Sequence, residues 1–333
     1  MIRVYDIGGT TATKLRGVWR AIQGVLSKAL EHDRAYLSVP GKVGVWLLVP
    51  LALALRLRGI VHFVHHHSFR PINLAPLRGM GMLVWAGGRH QRHILLSADM
   101  RRRFTDIYLA GDDDRAATLS NAYLFGPTLP RPPLAAAASR PDRPVTLGHM
   151  SVLTYEKGVE YLLDLFAILA GRGHDWRLII AGPCADPTLS RTLTEAVVAH
   201  RGRVDYRGAV SGRKKELFFA DIDLFVLPTT LVDEAEPLVM LEAFSRGVDV
   251  VANDTGCIRD RIRTSRHLMS LDRNADTALI EARVADCARD WATTRYACVE
   301  HAYAIKSLAD AEAKEVFNHI LNSGAYLPSM PHL

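Results

Sequence analysis

Residues 224–252 read LFVLPTTLVDEAEPLVMLEAFSRGVDVVA, and this stretch decides the fold. Leu224, Phe225, Val226 and Leu227 form an apolar run suited to a strand buried on both faces, and Pro228 ends it. Pro237 suits the first turn of a helix, where its missing N–H would have no partner anyway. Leu238, Leu241 and Ser245 give that helix an inward face, Gly247 closes it, and residues 248–252 return as a strand. Two such strands joined through a helix run parallel in one sheet. The same alternation extends backwards, with strands at 145–148, 176–181 and 204–206 and helices at 158–170, 189–200 and 213–220. Residues 275–321 are mostly helical by pattern. The reading is a doubly wound α/β domain.

Upstream, residues 126–144 (GPTLPRPPLAAAASRPDRP) hold six prolines and mark an extended connector. Before it the alternation is looser. Strands are expected at 2–7, 35–39, 60–65 and 94–97, and helices at 14–30 and 100–108. The apolar run 43–55 (VGVWLLVPLALAL) is expected as a buried helix against the sheet, being shorter than the ~20 residues a bilayer crossing needs. The division is therefore a short domain over 1–140 and a second over 141–333, with the final helix returning toward the first.

The 333 residues carry a net charge of +6, which favours anionic partners without choosing among them. The cysteines Cys184, Cys257, Cys287 and Cys298 have no short spacing, so neither a zinc site nor a disulfide framework is expected. No basic leader precedes an apolar stretch at the N-terminus, and a reducing, cytoplasmic setting fits best.

Chemistry concentrates between Glu234 and Glu242. A helix N-terminus offers free N–H groups and partial positive charge to a phosphate, and two carboxylates flanking it can accept hydrogen bonds from sugar hydroxyls. Glu234 and Glu236 as ordinary acidic residues beside a helix dipole, with Glu242 solvated, is the plainer reading. Lys157, before another helix, suits neutralising a leaving diphosphate or sits on the surface. His65-His66-His67 end a strand, where open α/β sheets gather ligands, or simply cap it. Successive strand residues alternate faces, which argues against one metal ion held by all three. Gly8-Gly9 is either a close backbone approach to a ligand or a flexible turn. The strings 112–114 and 221–223 read as structural carboxylates. The basic runs 89–93 and 101–103 are solvated faces or contacts to anionic lipid. Nothing supports nucleic-acid binding.

The stretch Glu234-Ala-Glu-Pro-Leu-Val-Met-Leu-Glu242 resembles the E-x7-E signature of the retaining nucleotide-sugar glycosyltransferases known as glycosyl transferases group 1, or family 4, which have the GT-B fold. Glu234, Ala235, Pro237, Leu238, Val239, Leu241, Glu242 and Ala243 match, while Glu236 stands where an aromatic is common. Gly148-His149-Met150 through Tyr155-Glu156-Lys157-Gly158-Val159 resembles the segment whose basic residues clamp the diphosphate. Lys157 matches the family lysine, and His149 replaces an arginine. Residues 178–183 with Gly182 resemble the turn beneath the nucleotide, and Tyr206-Arg207-Gly208-Ala209-Val210 the turn that reads the base.

The resemblance covers about half the chain. It implies two Rossmann-like doubly wound domains facing a central cleft. It further implies transfer of a hexose-type sugar from a nucleoside diphosphate sugar to a glycan or lipid-linked acceptor, with retained configuration and neither metal nor further cofactor. By the same resemblance Glu234 holds the donor sugar, Glu242 the ribose, and Lys157 with Pro237 and Leu238 the diphosphate. Gly8, Gly9, His149, Gly182, Gly208 and Val210 complete the donor site, and His65 or His66 approaches the reacting sugar. Bacterial surface-polysaccharide synthesis at the inner face of the plasma membrane is the expected setting. His149 and the short first domain motivate the alternative, a homologue that binds a nucleotide sugar with weak or no turnover.

Overall fold

The computed structural model describes residues 4–5, 10–27, 34–39, 44–125 and 140–321. They fall into two units, Met1–Ser120 with Ala311–Leu333, and Asn121–Asp310. In the first, α1 (Thr11–Leu26) is followed by β1 (Arg34–Val39), α2 (Val45–Leu57), β2 (Val61–His66) and the short α3 (Arg70–Asn73). Then come α4 (Arg78–Gly87), β3 (Gln91–Leu95), α5 (Ala98–Tyr108) and β4 (Ala116–Thr118). The strands form one parallel sheet in the order β1-β2-β3-β4. Of the strand expected at 2–7 only Val4 and Tyr5 are described, and neither is in a strand. Gly8-Gly9 and most of the connector lie outside the described residues.

Three expectations for this unit change. The run 89–93, read as a basic surface, opens β3, and alternation turns Gln91 and His93 into the core, fully buried. The arginines of 101–103 lie on α5 and meet its own carboxylates and Asp113, so they do not present a free basic cluster. Helix α2 is buried only on its inner face, where Leu48, Ala52 and Leu55 pack, while Trp46, Leu53 and Leu57 are exposed.

The second unit alternates strictly: β5 (Thr146–Met150), α6 (Val159–Gly171), β6 (Arg177–Ala181), α7 (Pro187–Ala199), β7 (Val204–Tyr206) and α8 (Gly212–Asp221). It continues with β8 (Leu224–Leu227), α9 (Leu238–Ser245), β9 (Asp249–Asn253), α10 (Ile258–Arg261), β10 (Leu268–Met269), α11 (Arg273–Arg289) and the first part of α12 (Trp291–Leu321), whose residues from Ala311 onward belong to the first unit. The parallel sheet has the order β10-β9-β8-β5-β6-β7, the doubly wound order of a dinucleotide-binding domain. Two apolar layers cover it. Phe218, Phe219, Leu241, Phe244 and Cys298 form one, and Leu162, Phe166, Leu193 and Ile280 belong to the other. The order reverses at β5, whose neighbours are β8 and β6, so the ligand-binding crevice lies beyond the C-terminal ends of these strands. Both literal D-x-D strings are structural: Asp223 takes Arg143 at 2.8 Å and the Thr146 amide at 2.8 Å, and Asp113 is paired with Arg101.

Candidate donor site

The loops after β5 and β8 meet at the strand-order reversal. After β5 the chain turns through residues 155–157, and Gly158 adopts φ +76° before α6 begins. A Cβ there would stand 2.2 Å from the Pro228 carbonyl oxygen, so the turn closes on the end of β8 only with glycine. The Thr230 amide donates to the Glu156 carbonyl at 2.7 Å and ties the two loops together. This brings the Lys157 Nζ to 2.6 Å from Glu234 Oε2, and the Thr229 hydroxyl donates to the same oxygen at 3.0 Å. Lys157 and Glu234, 77 residues apart in the chain, form one ion pair with side chains 17% and 9% exposed. The spacing of a motif gives no direct sight of Thr229, a fully buried threonine that belongs to the same constellation.

Glu234 sits on a braced loop. Gly256, with φ +61°, passes so close that a Cβ would meet the Glu234 carbonyl at 2.4 Å, and the Cys257 amide donates to the Ala235 carbonyl at 2.7 Å. Glu236 is buried between the Arg261 guanidinium and the Asn121 amide. A carboxylate therefore occupies the position of the common aromatic because a cation and an N–H face it there. Pro237 caps α9, and with Leu238 it lines a small cavity that also includes Glu236, Met240 and Arg261. Glu242 lies on the first turns of α9 and pairs with Lys215 of α8, a partner the motif did not announce.

Beside β5, Gly182 takes φ +127° where a Cβ would collide with the Ser151 carbonyl, and its amide donates to the Gly208 carbonyl at 2.6 Å. Gly208 has φ +61°, and Val210 beyond it is half-buried. These glycines let three loop segments crowd the strand ends without side chains.

His149 points the other way. Its Nδ1 bonds the Val226 carbonyl at 2.9 Å, an acceptor only, so Nδ1 carries the proton. Nε2 then accepts from the Ser151 hydroxyl at 2.9 Å. Burial holds this imidazole down at about 4, with the Lys157 cation adding to the effect and the Val226 bond opposing it. His149 is thus a buried, neutral group beside the loop that carries Lys157.

His65 and His66 lie in the first unit at the end of β2, and neither is exposed. His66 is closed in by His93, at 2.9 Å from Nε2, and by the Phe104 ring. His65 faces the opposite side, bonded to the Tyr36 hydroxyl and packed on the His67 ring, with its Nε2 buried and unpartnered. Among the described residues, no group of three His, Cys, Asp or Glu could hold a metal ion.

Two parallel α/β units, the second with its reversal flanked by a lysine, two glutamates and a helix start, define a fold of the GT-B glycosyltransferase type. Residues 143–288 match the family model for glycosyl transferases group 1. Over 171 residues it is 28% identical to an alpha-D-kanosaminyltransferase of Streptomyces kanamyceticus, covering 46% of this chain and 42% of that protein, less than half the relative's length. Anabaena HepE, solved in complex with UDP-glucose, superposes with a TM-score of 0.64 at 16% identity, over 91% of this chain and 82% of that one. Sucrose-phosphate synthase from Thermosynechococcus elongatus superposes with a TM-score of 0.66 at 16% identity, over 94% and 82%.

Proposed function

We propose that the chain transfers a hexose-type sugar from a nucleoside diphosphate sugar to a glycan or lipid-linked acceptor, with retention at the anomeric carbon. The reading is carried by the Lys157–Glu234 pair, held at 2.6 Å where the strand order reverses. Glu234 accepts hydrogen bonds from donor hydroxyls, and Glu242 does so from the ribose. The Lys157 ammonium exchanges its carboxylate partner for the diphosphate, and the first turn of α9, which begins at Leu238 just after Pro237, adds backbone N–H groups to the same oxygens. Gly182, Gly208 and Val210 frame the nucleotide, Gly8 and Gly9 serve the diphosphate, and His65 or His66 approaches the reacting sugar. The acceptor oxygen bonds to the anomeric carbon as the bond to the diphosphate oxygen breaks, and the acceptor's proton passes to the departing phosphate. No metal or further cofactor takes part. The setting is cytoplasmic synthesis of a bacterial surface polysaccharide, at an anionic membrane surface.

A screen of nucleoside diphosphate sugars by thermal shift, followed by a transfer assay with the donor that binds, tests this. Lys157→Ala and Glu234→Ala are each expected to lower turnover at least about a hundredfold, in line with losing a group that stabilises developing charge. The neutral, inward-turned His149 favours one competing reading, a donor-binding protein without turnover. Donor binding with no transfer or donor hydrolysis would decide for it.

A further inference from the structure

Helix α2 carries a single charged residue, Arg56, among its thirteen. A helix apolar all round requires cover all round, and α2 has it only where it rests on β1 and β2 and between α1 and α4. On its outer side Trp46, Pro50, Leu53 and Leu57 follow one another at helical spacing and are exposed, Leu57 by 75%. The neighbours repeat the pattern. Met82 and Trp85 stand out from α4 and Leu15 and Trp19 from α1, both tryptophans 62% exposed. Charge on this face has one sign. Exposed Arg16 and Arg20 on α1, and Arg78 and Arg89 at the two ends of α4, accompany the apolar rows, and neither 10–27 nor 44–98 contains an Asp or Glu. The arginines of α5 differ, since each faces an acidic partner.

We propose that the outer face of α1, α2 and α4 is a docking surface for an anionic lipid bilayer. Tryptophan combines an apolar ring with a polar N–H and settles at the level of lipid headgroups, where unpaired arginines meet phosphate. A thirteen-residue helix is about 20 Å long, too short to cross a bilayer, so α2 lies in the plane of the interface. A second copy of the chain is a poorer occupant, because two faces holding only cations repel one another. The surface deepens the membrane setting proposed above. Vesicle binding requires no donor, so it and sugar transfer can each fail alone.

The test is co-sedimentation of the full chain with phosphatidylcholine vesicles, with and without phosphatidylglycerol. Binding is expected only to the anionic vesicles and is lost at high salt. Arg16→Gln with Arg20→Gln weakens it about fivefold per residue. Trp19→Ala with Trp85→Ala abolishes it at unchanged helix content, and Arg102→Gln, on α5, leaves it intact. No binding to anionic vesicles, or equal binding by the tryptophan variant, overturns the proposal. So does a concentration-dependent dimer that the tryptophan variant dissolves, which would make this face a contact between copies.

Discussion

Glu234 has a carboxylate nine-tenths buried whose only cationic partner among the described residues is Lys157. Replacing Lys157 by alanine leaves that charge with the Thr229 hydroxyl alone, and a cost of about 2 kcal/mol in urea unfolding is expected. Lys157→Arg should recover most of it, and an unchanged midpoint for the alanine variant would mean the pair contributes nothing to stability. Gly158 makes a sharper case. Alanine there needs φ +76° and a methyl 2.2 Å from the Pro228 oxygen, so either the turn or the end of β8 must move. Gly158→Ala is expected to destabilise by about 2–3 kcal/mol and to weaken donor binding with it, because Lys157 is the preceding residue. At this scale the sequence named Lys157 and Glu234 through a motif. It missed Thr229 and Ser151, because a single hydroxyl residue in a loop carries no periodicity and no spacing rule.

Asp276 organises the start of α11. Its carboxylate accepts from the Ser270 and Leu271 amides at 2.8 and 2.9 Å and from the Tyr161 hydroxyl of α6 at 2.7 Å, and Leu271 holds φ +64° between them. Asp276→Ala strands these donors and the Ser270 hydroxyl, four in all, and a loss of about 3 kcal/mol is expected, checked by chemical denaturation. Asp276→Asn, which keeps an acceptor oxygen, should lose less. Among elements, β8 and α9 were legible to the residue, because an unbroken apolar run and a proline leave one assignment each. The first unit was less so. Helix α4 went unrecognised since Gly79, Gly81 and Gly87 dilute its apolar positions, yet Gly79 is required where Val45 and Trp46 press against it. Strand β3 was expected only from 94 onward, because Arg89 and Arg92 masked its start, although Gln91 and His93 are buried beside those charges. The two-residue β10 is too short for any pattern.

For the molecule as a whole, buried histidines set the response to acid. Burial pushes His62 down to about 4 and His65 and His66 to about 3 from an ordinary 6.5, and His93 well below it. The unfolded chain takes up these protons as pH falls through about 6.5, whereas the folded chain stays neutral until about 4 or 3. In that window the unfolded state binds more protons, so stability declines by about 1.4 kcal/mol per pH unit for each such histidine. Above it their contribution is constant. Unfolding free energies from urea titrations at about pH 7 and about pH 5 should differ by several kcal/mol, and equal values would refute the neutral cluster.

The amide of Ser120, almost wholly buried, donates to a carboxylate oxygen of Glu312 at 2.9 Å, its partner 192 positions further along the chain. Synthesis delivers residues in order, and domains begin to fold as they leave the ribosome. Everything from Asn121 to Asp310 is therefore translated before Glu312 can reach Ser120. The middle of this polypeptide can be complete while its beginning still has an open seam, and a nascent chain released before residue 312 would leave that seam unsealed.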